Sequence, residues 1–274
     1  MELNEPIELQ VVGVVKSGAK TAGELSLQGT NAEIEIFDDF AEALSDVDDH
    51  SHIWVLAWLD QSPRDRLKIV PKRVRTNTKE KGVFSVRSPI RPNPIGLTAT
   101  RLLRREGNTL YLEHIDFVDG TPIIDIKPYS SGWDCIFSSK NNSGYETYSQ
   151  MPLEEVYDDM LRQAANFHGD VCVGVAIGMR AAHLAMRHFE CDLQEKSLKI
   201  TAGVRGCIAD AIQGLTQAGN KRFSRPEPLS DSLSFEKDGR CVEMTITPER
   251  FASVEDVLSA TDEEIFIQVE MMQT

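Results

Sequence analysis

The stretch LTATRLLRREGNTLYLEHIDFVDGTPIIDIK, Leu97 to Lys127, reads as three short strands in succession. Leu97 to Leu103, Thr109 to Val118 and Pro122 to Lys127 are the apolar-rich segments. Gly107-Asn108 and Asp119-Gly120 between them are residues that tolerate turn geometry. Working outward, Leu9 to Val15 is a short Val-rich strand, and Ala32 to Phe37 sets Ile34 and Ile36 against Glu33 and Glu35, the alternation of a half-exposed strand. Asp39 is expected to cap a short helix over Phe40 to Leu44. His52 to Leu59, apolar at nearly every position, reads as a strand covered on both faces, and Gly82 to Val86 as one more strand. Many short strands with little helix indicate an all-β barrel or sandwich.

Between these strands lies Phe84 to Leu97, FSVRSPIRPNPIGL. Pro89, Pro92 and Pro94 fix φ and remove three backbone donors, and each biases its predecessor toward extended geometry. The loop is therefore stiff, and it holds out Arg87 and Arg91. Gly96 permits a close backbone approach or a positive φ. Residue chemistry alone leaves two readings open, a ligand-binding arm or a rigid connector with solvated arginines. Asp116, Asp119 and Asp125 around the Asp119-Gly120-Thr121-Pro122 turn likewise read either as ligand-facing carboxylates or as Asx turns.

The chain of 274 residues is long enough for two domains, and its apolar and charged fractions are those of a globular protein. No apolar run approaches a membrane span of roughly 20 residues. The first residues have neither a basic nor an apolar leader region, so a cytoplasmic location without membrane contact is expected. The five cysteines are scattered without a CxxC pair, which argues against a disulfide framework or a zinc ribbon. No GxGxxG follows a strand, so a Rossmann cofactor site is not supported. The formal charge of −14 disfavours general nucleic-acid binding. From Arg64 to Arg105, however, thirteen basic residues face only Asp65 and Glu80, a local excess of +11. Such a patch on an acidic protein suits contact with a phosphate backbone at one place, or is a solvated loop.

The polar segment 138–151 reads as a linker, dividing the chain into a β domain over 1–137 and a second domain over 152–274. In the latter, Pro152 fits a helix start before Leu153, Val156, Tyr157, Met160, Leu161 and Ala164 at helical spacing. A second helix runs through Phe189 with a small-residue face of Gly174, Gly178, Ala181, Ala182 and Ala185. A strand over Lys199 to Ala202 and a helix over Cys207 to Leu215 follow. Leu233 to Lys237 and Cys241 to Thr247 flank Asp238-Gly239, a hairpin signal, and Ile265 to Met271 alternates as a last strand. Helices interleaved with strands make this an α+β domain. His168 and Cys172 lie four apart at a helix start, and with Cys207 they form either an N/S/S set suited to zinc with an open position or a hydrogen-bonded histidine beside two buried thiols.

HSHIWVLAW (His50 to Trp58), RSPIRPNPIGL (Arg87 to Leu97) and DFVDGTPIIDIKPY (Asp116 to Tyr129) closely resemble, in this order, the TsaA-like family that includes the TrmO-type tRNA methyltransferases. The resemblance covers roughly residues 7 to 129. It implies a small β-barrel that binds S-adenosylmethionine (SAM) without a Rossmann fold, usually as a homodimer. The family reaction is N6-methylation of threonylcarbamoyl-adenosine at position 37, beside the tRNA anticodon. Carried over by motif, the SAM site would comprise Ser51, His52, Arg87, Leu97, His114, Ile115, Asp116, Asp119, Gly120 and Thr121. Asp119 and Arg87 are the candidates for catalysis, the former for the proton transfer, and Arg87 or Arg91 would pair with the substrate carboxylate. Arg91, Lys72, Arg73 and Arg75 would face tRNA. Family members often carry a Pro-Arg-Gln element after the first strand; here that region reads VKSGAKTAGE (Val15 to Glu24).

FHGDVCVGVAIGMRAA (Phe167 to Ala182) with GVRGCIADAIQGLT (Gly203 to Thr216) resembles the FmdE-like family, named for a component of formylmethanofuran dehydrogenase. It keeps His168, Cys172 and Cys207 as candidates for zinc or another divalent metal, although Asp170 and Val173 replace residues of the usual HGHxCPG pattern. The leading expectation is a SAM-dependent tRNA methyltransferase. The alternative is a SAM- or metal-binding accessory or sensor protein of C1 or metallopterin metabolism.

Overall fold

In the computed structural model the described residues are 6–25, 29–70, 80–137, 139, 144–204, 206–246 and 250–273. They fall into two compact units, with the boundary between Ile136 and Phe137. Among the described residues no helix is long and apolar enough to cross a membrane.

In the first unit, six antiparallel strands close into a barrel. They are β1 (Gly13–Lys16), β2 (Thr30–Ile36), β3 (His52–Trp58), β4 (Ile95–Glu106), β5 (Thr109–Ile115) and β6 (Pro122–Pro128), in the order β1-β2-β5-β4-β3-β6. Closure removes sheet edges and confines the core to one face of every strand. That core is the alternate set Val15, Ile34, Ile53, Val55, Leu110, Leu112 and Ile123, all buried. The fold is thus a barrel rather than a sandwich. β3 departs from the expected coverage on both faces: Ile53, Val55 and Ala57 are buried, but Trp54, Leu56 and Trp58 lie on the outer face and are only half-covered. Their shelter comes from outside the sheet, with Tyr129 against Trp54 at 5.5 Å and the Arg64 guanidinium 5.0 Å from the Trp58 ring centre.

Three local expectations are corrected. The helix near Asp39 is a 3-10 helix over Asp38–Leu44 that starts after Phe37, with no side-chain cap. The strand expected over Gly82 to Val86 is only a two-residue ladder, Lys68–Ile69 against Lys81–Gly82, after which Val83–Ser85 forms a 3-10 turn that buries Val83. The first strand begins at Gly13 rather than Leu9, whose side chain is exposed.

The second unit carries α1 (Leu153–His168), α2 (Val173–Phe189) and α3 (Gly206–Thr216) with a five-stranded sheet. The sheet contains β7 (Lys199–Ala202), β8 (Phe223–Ser224), β9 (Ser232–Lys237), β10 (Arg240–Ile246) and β11 (Phe266–Gln273), in the order β8-β7-β9-β10-β11. Asp238 and Gly239, both at positive φ, close the β9–β10 hairpin, as a two-residue turn of this type requires. The small-residue face of α2 packs on α3. A Cβ on Gly178 would stand 2.6 Å from the Ile208 carbonyl oxygen, and one on Gly174 2.7 Å from Cys207 Cβ. Part of the polar 138–151 segment is fastened to this unit. Tyr145–Tyr148 forms a helical turn, the Tyr145 amide donates to Asp192 Oδ1 at 2.6 Å, and the Tyr148 hydroxyl donates to Asp159 at 2.6 Å. Both tyrosines pack against the core, which the polar composition around them conceals.

A short helix α4 (Val254–Ser259) follows, its capping box closed by Ser253 and Asp256. Buried Arg180 on α2 donates to the carbonyls of Val257 and Ala260 at the end of α4 and pairs with Asp262 at 2.7 Å. One turn along α2, His183 is buried against the Tyr157 ring at 5.1 Å. Burial foremost, then the Arg187 charge, depresses its pKa to about 4 against the contrary pull of Asp262. The unfolded chain therefore binds a proton at His183 that the folded chain refuses between pH 6.5 and about 4, and stability falls as pH drops through that window. Thermal unfolding from pH 7 to pH 4 is expected to show this loss, on the order of 2 kcal/mol. His183→Gln should flatten the slope.

Candidate functional site

The proline loop makes little regular backbone pairing, and its carbonyls are met by guanidinium groups instead. Arg91 turns back on its own loop: Nε donates to the Ser88 carbonyl at 2.8 Å, and Nη2 to those of Val86 at 2.5 Å and Val83 at 3.2 Å. Arg64 Nε donates to the Pro92 carbonyl at 3.2 Å. Arg87 Nη2 donates to the Leu97 carbonyl, joining the arm of the loop to the start of β4. Gly96 serves close approach rather than positive φ, since a Cβ there would stand 2.5 Å from the Phe117 ring. Arg91 therefore braces the loop with Nε and Nη2. Lys72, Arg73 and Arg75 lie outside the described residues.

Most of the SAM-site candidates occupy the outside and one end of the barrel, but Ile115 is fully buried in its core and so departs from the expected ligand contact. Register pairs Leu56 with Leu97, Trp54 with Ala99 and His52 with Arg101, so these residues form one continuous outer surface on β3 and β4. Arg87 and exposed Leu97 stand at one end of it. Ser51 and His52, bonded to each other at 3.0 Å, stand four residues away along the strand, about 14 Å. Half-covered Trp54, Leu56 and Ala99 fill the interval.

The remaining candidates run from the end of β5 to the start of β6. His114 has φ 58, a left-handed conformation beside Gly29, whose missing side chain leaves room for the His114–Ile115 backbone. Asp116 accepts a hydrogen bond from Thr98 Oγ1 and is exposed. Thr121 is buried and donates to the Val118 carbonyl at 2.7 Å; Gly120, at φ 77, makes the turn.

Asp119 is committed elsewhere. Lys20 Nζ donates to it at 2.6 Å and the Ser17 amide at 3.0 Å, and these two bonds hold its pKa below the ordinary aspartate value. A carboxylate so held favours its ionised form, and it ties the turn to the segment after β1. That segment also lines a surface cleft of about 460 Å³ with Lys16, Ser17, Asn31, Arg104 and Tyr111. Sequence reasoning missed Arg104, whose guanidinium sits 3.5 Å from the Tyr111 ring centre and bonds Glu106 at 2.9 Å. Only the cross-strand register brings these residues together.

In the second unit the three metal candidates converge. His168 ends α1, Cys172 precedes α2 and Cys207 lies in the first turn of α3, with one ligand atom from each within 4.8 Å of the others. Cys172 Sγ stands 3.8 Å from His168 Nε2. Asp210, three residues beyond Cys207, was not singled out by sequence; its Oδ2 lies 3.1 Å from His168 Nδ1. That contact favours the tautomer with Nδ1–H, which leaves the Nε2 lone pair directed at the thiols. Burial, with the neighbouring Cys172, pushes the Cys207 thiol up. An N/S/S donor set with a carboxylate behind the histidine is compatible with zinc.

Comparison with known proteins gives the same division of the chain. A family model described as the tRNA-methyltransferase O N-terminal domain matches residues 18–135, and one described as FmdE, molybdenum formylmethanofuran dehydrogenase operon, matches residues 167–260. A probable S-adenosyl-L-methionine-binding protein of Archaeoglobus fulgidus is 37% identical over 220 residues, covering 77% of this chain but 58% of the relative's own length. A shorter S-adenosyl-L-methionine-binding protein of the same organism is 45% identical over 132 residues, covering 47% of this chain and 93% of the relative. The tRNA (adenine(37)-N6)-methyltransferase of Mus musculus is 37% identical over 123 residues, covering 45% of this chain and 28% of the relative.

Arg91→Ala removes three charge-assisted bonds to loop carbonyls, and Arg91→Lys cannot restore the planar fork. The alanine variant is expected to lose about 2 kcal/mol in urea unfolding. Amide exchange should accelerate in residues 83–97 while the barrel strands keep their protection.

Proposed function

The chain belongs to the family of the tRNA-methyltransferase O N-terminal domain, with a second half that matches the FmdE family, and from that premise we propose that it is a SAM-dependent tRNA methyltransferase. Its substrate in this reading is the N6 amine of threonylcarbamoyl-adenosine at tRNA position 37, and its working form is a homodimer. The observation that carries the reading is the arginine-braced loop, which delivers Arg87 to Leu97 on the outer face of the family's barrel. An arm ordered before the ligand arrives loses little entropy on binding.

SAM supplies an electrophilic methyl group on a sulfonium. Transfer to a nitrogen needs in-line approach, so the protein's contribution is chiefly positioning. Arg87 is exposed, spends one donor on Leu97, and offers the rest of its fork to a carboxylate, that of the methionine end of SAM as well as that of the substrate. Asp116, held by Thr98 rather than by a cation, is the carboxylate we assign to orient the acceptor amine and to take the proton that nitrogen sheds as the S–CH3 bond breaks and S-adenosylhomocysteine leaves. Leu97, Leu56 and Trp54 give apolar surface for an adenine ring. Asp119 fixes the turn that carries this segment.

Calorimetric titration with SAM is expected to give one site per chain in the wild type, with affinity reduced about tenfold or more in Arg87→Ala. Nucleoside mass spectrometry of tRNA from a strain lacking the protein should show the N6-methylated threonylcarbamoyl-adenosine pool depleted. An unchanged pool overturns the substrate assignment.

For the second half we propose a zinc-class ion held by His168, Cys172 and Cys207, on the strength of the Asp210–His168 contact. The ion would act there as a Lewis acid with an open position. Elemental analysis is expected to find metal in the wild type and none in Cys172→Ser. Asp210→Ala should retain the site with affinity lowered about 10- to 100-fold in a competition titration with a chelator dye.

A further inference from the structure

The ladder formed by Lys68–Ile69 and Lys81–Gly82 makes a short basic ribbon beside the proline loop, and the Val83 amide extends it by donating to the Leu67 carbonyl at 3.0 Å. At its end stands Phe84, 84% exposed, the most exposed phenylalanine side chain among the described residues, with Leu67 exposed beside it. The turn that presents Phe84 is braced on both sides. Val83 is buried, Ser85 Oγ donates to the Gly82 carbonyl at 2.7 Å, and Arg91 Nη2 binds the carbonyls of Val83 and Val86. A ring held in water by a rigid turn forgoes the stabilisation that burial would give a phenylalanine. The ribbon and the chain next to Phe84 carry Arg66, Lys68, Lys81 and Arg87 against the carboxylates of Asp65 and Glu80, the latter 3.9 Å from Lys68.

From this juxtaposition we infer that Phe84 is a stacking platform for an unpaired base of the anticodon loop, with the basic ribbon tracking the adjoining phosphates. The inference rests on tRNA being the substrate. An exposed aromatic face amid cations is the combination that single-stranded nucleic acid uses: bases stack on the ring and phosphates meet the charges. An apolar partner would leave Lys81 and Arg87 without matching charge, whereas phosphates supply it. The ring lies on the arm that bears Arg87, so a base stacked on it holds its neighbour toward the outer face of β3 and β4.

The test uses the full chain and an anticodon stem-loop RNA with 2-aminopurine in the loop. Phe84→Ala is expected to weaken binding about tenfold or more, Phe84→Trp to retain it, and only the ring-bearing proteins to change the 2-aminopurine fluorescence. Salt dependence separates the two contributions: Phe84→Ala should lower affinity equally at every salt concentration, whereas Lys81→Ala should reduce the slope by about one. SAM titration of Phe84→Ala checks that the barrel is intact. Equal RNA affinity in wild type and Phe84→Ala overturns the inference. So does a dimer that becomes a monomer on Phe84→Ala while RNA binding is unchanged, because a second copy then covers the ring. RNA binding that depends on Phe84 in a protein that methylates no tRNA upholds the platform and defeats the methyl-transfer reading. A wild type that binds no RNA defeats both.

Discussion

A proline-rich loop on a barrel has a surplus of carbonyl oxygens and a shortage of amides. In the first unit this imbalance is resolved by guanidinium groups. Pro92 turns its carbonyl to Arg64, Val83, Val86 and Ser88 turn theirs to Arg91, and Leu97 turns its own to Arg87. Each bond is made by a permanent charge to a neutral acceptor and is stronger than the amide bond it replaces. A loop held in this way keeps its shape without regular secondary structure. The placement of Arg87, of Leu97 and of the ring of Phe84 all depend on it.

The same arrangement divides the basic residues of the first unit into two kinds. Net charge over the 64–105 segment treats every arginine alike, yet Arg64 and Arg91 spend donors on backbone and Arg105 spends them on Leu44 and Asp48. Exposed Arg66, beside the ribbon, is the kind that leaves charge at the surface, while Lys81 on it is half-buried. The net charge of a segment therefore does not say which of its cations are spent within the fold.

Alternation made the barrel strands legible, because Ile34 and Ile36 against Glu33 and Glu35 can satisfy a core and water only in one pairing. The Asp238-Gly239 turn and the small-residue face of α2 were legible for the same reason: each is a local pattern with one stable structural outcome. What stayed hidden depends on partners distant in sequence. Trp54 and Trp58 look like core residues until Tyr129 and Arg64 are seen sheltering an outer face. Asp119 looks like a free carboxylate until Lys20, 99 residues earlier, is found on it. The bracing by Arg91 stayed hidden for a different reason, since its acceptors are nearby but are backbone atoms that a side-chain pattern does not display.

In the second unit, close packing rather than ligand spacing builds the metal candidates. His168 and Cys172 are neighbours in sequence, but Cys207 reaches them only because Gly174 and Gly178 let α2 approach α3 until a single added Cβ would collide with Cys207 and Ile208. Phe167 enforces a similar approach at the other seam, where a Cβ on Gly214 would stand 2.7 Å from its Cβ. The two seams bring the end of α1 and the starts of α2 and α3 to one point. Asp210 then meets His168 because it lies one turn after Cys207 on α3. The cluster is thus a consequence of helix contact, and a change that widens either seam separates the ligands before it removes one.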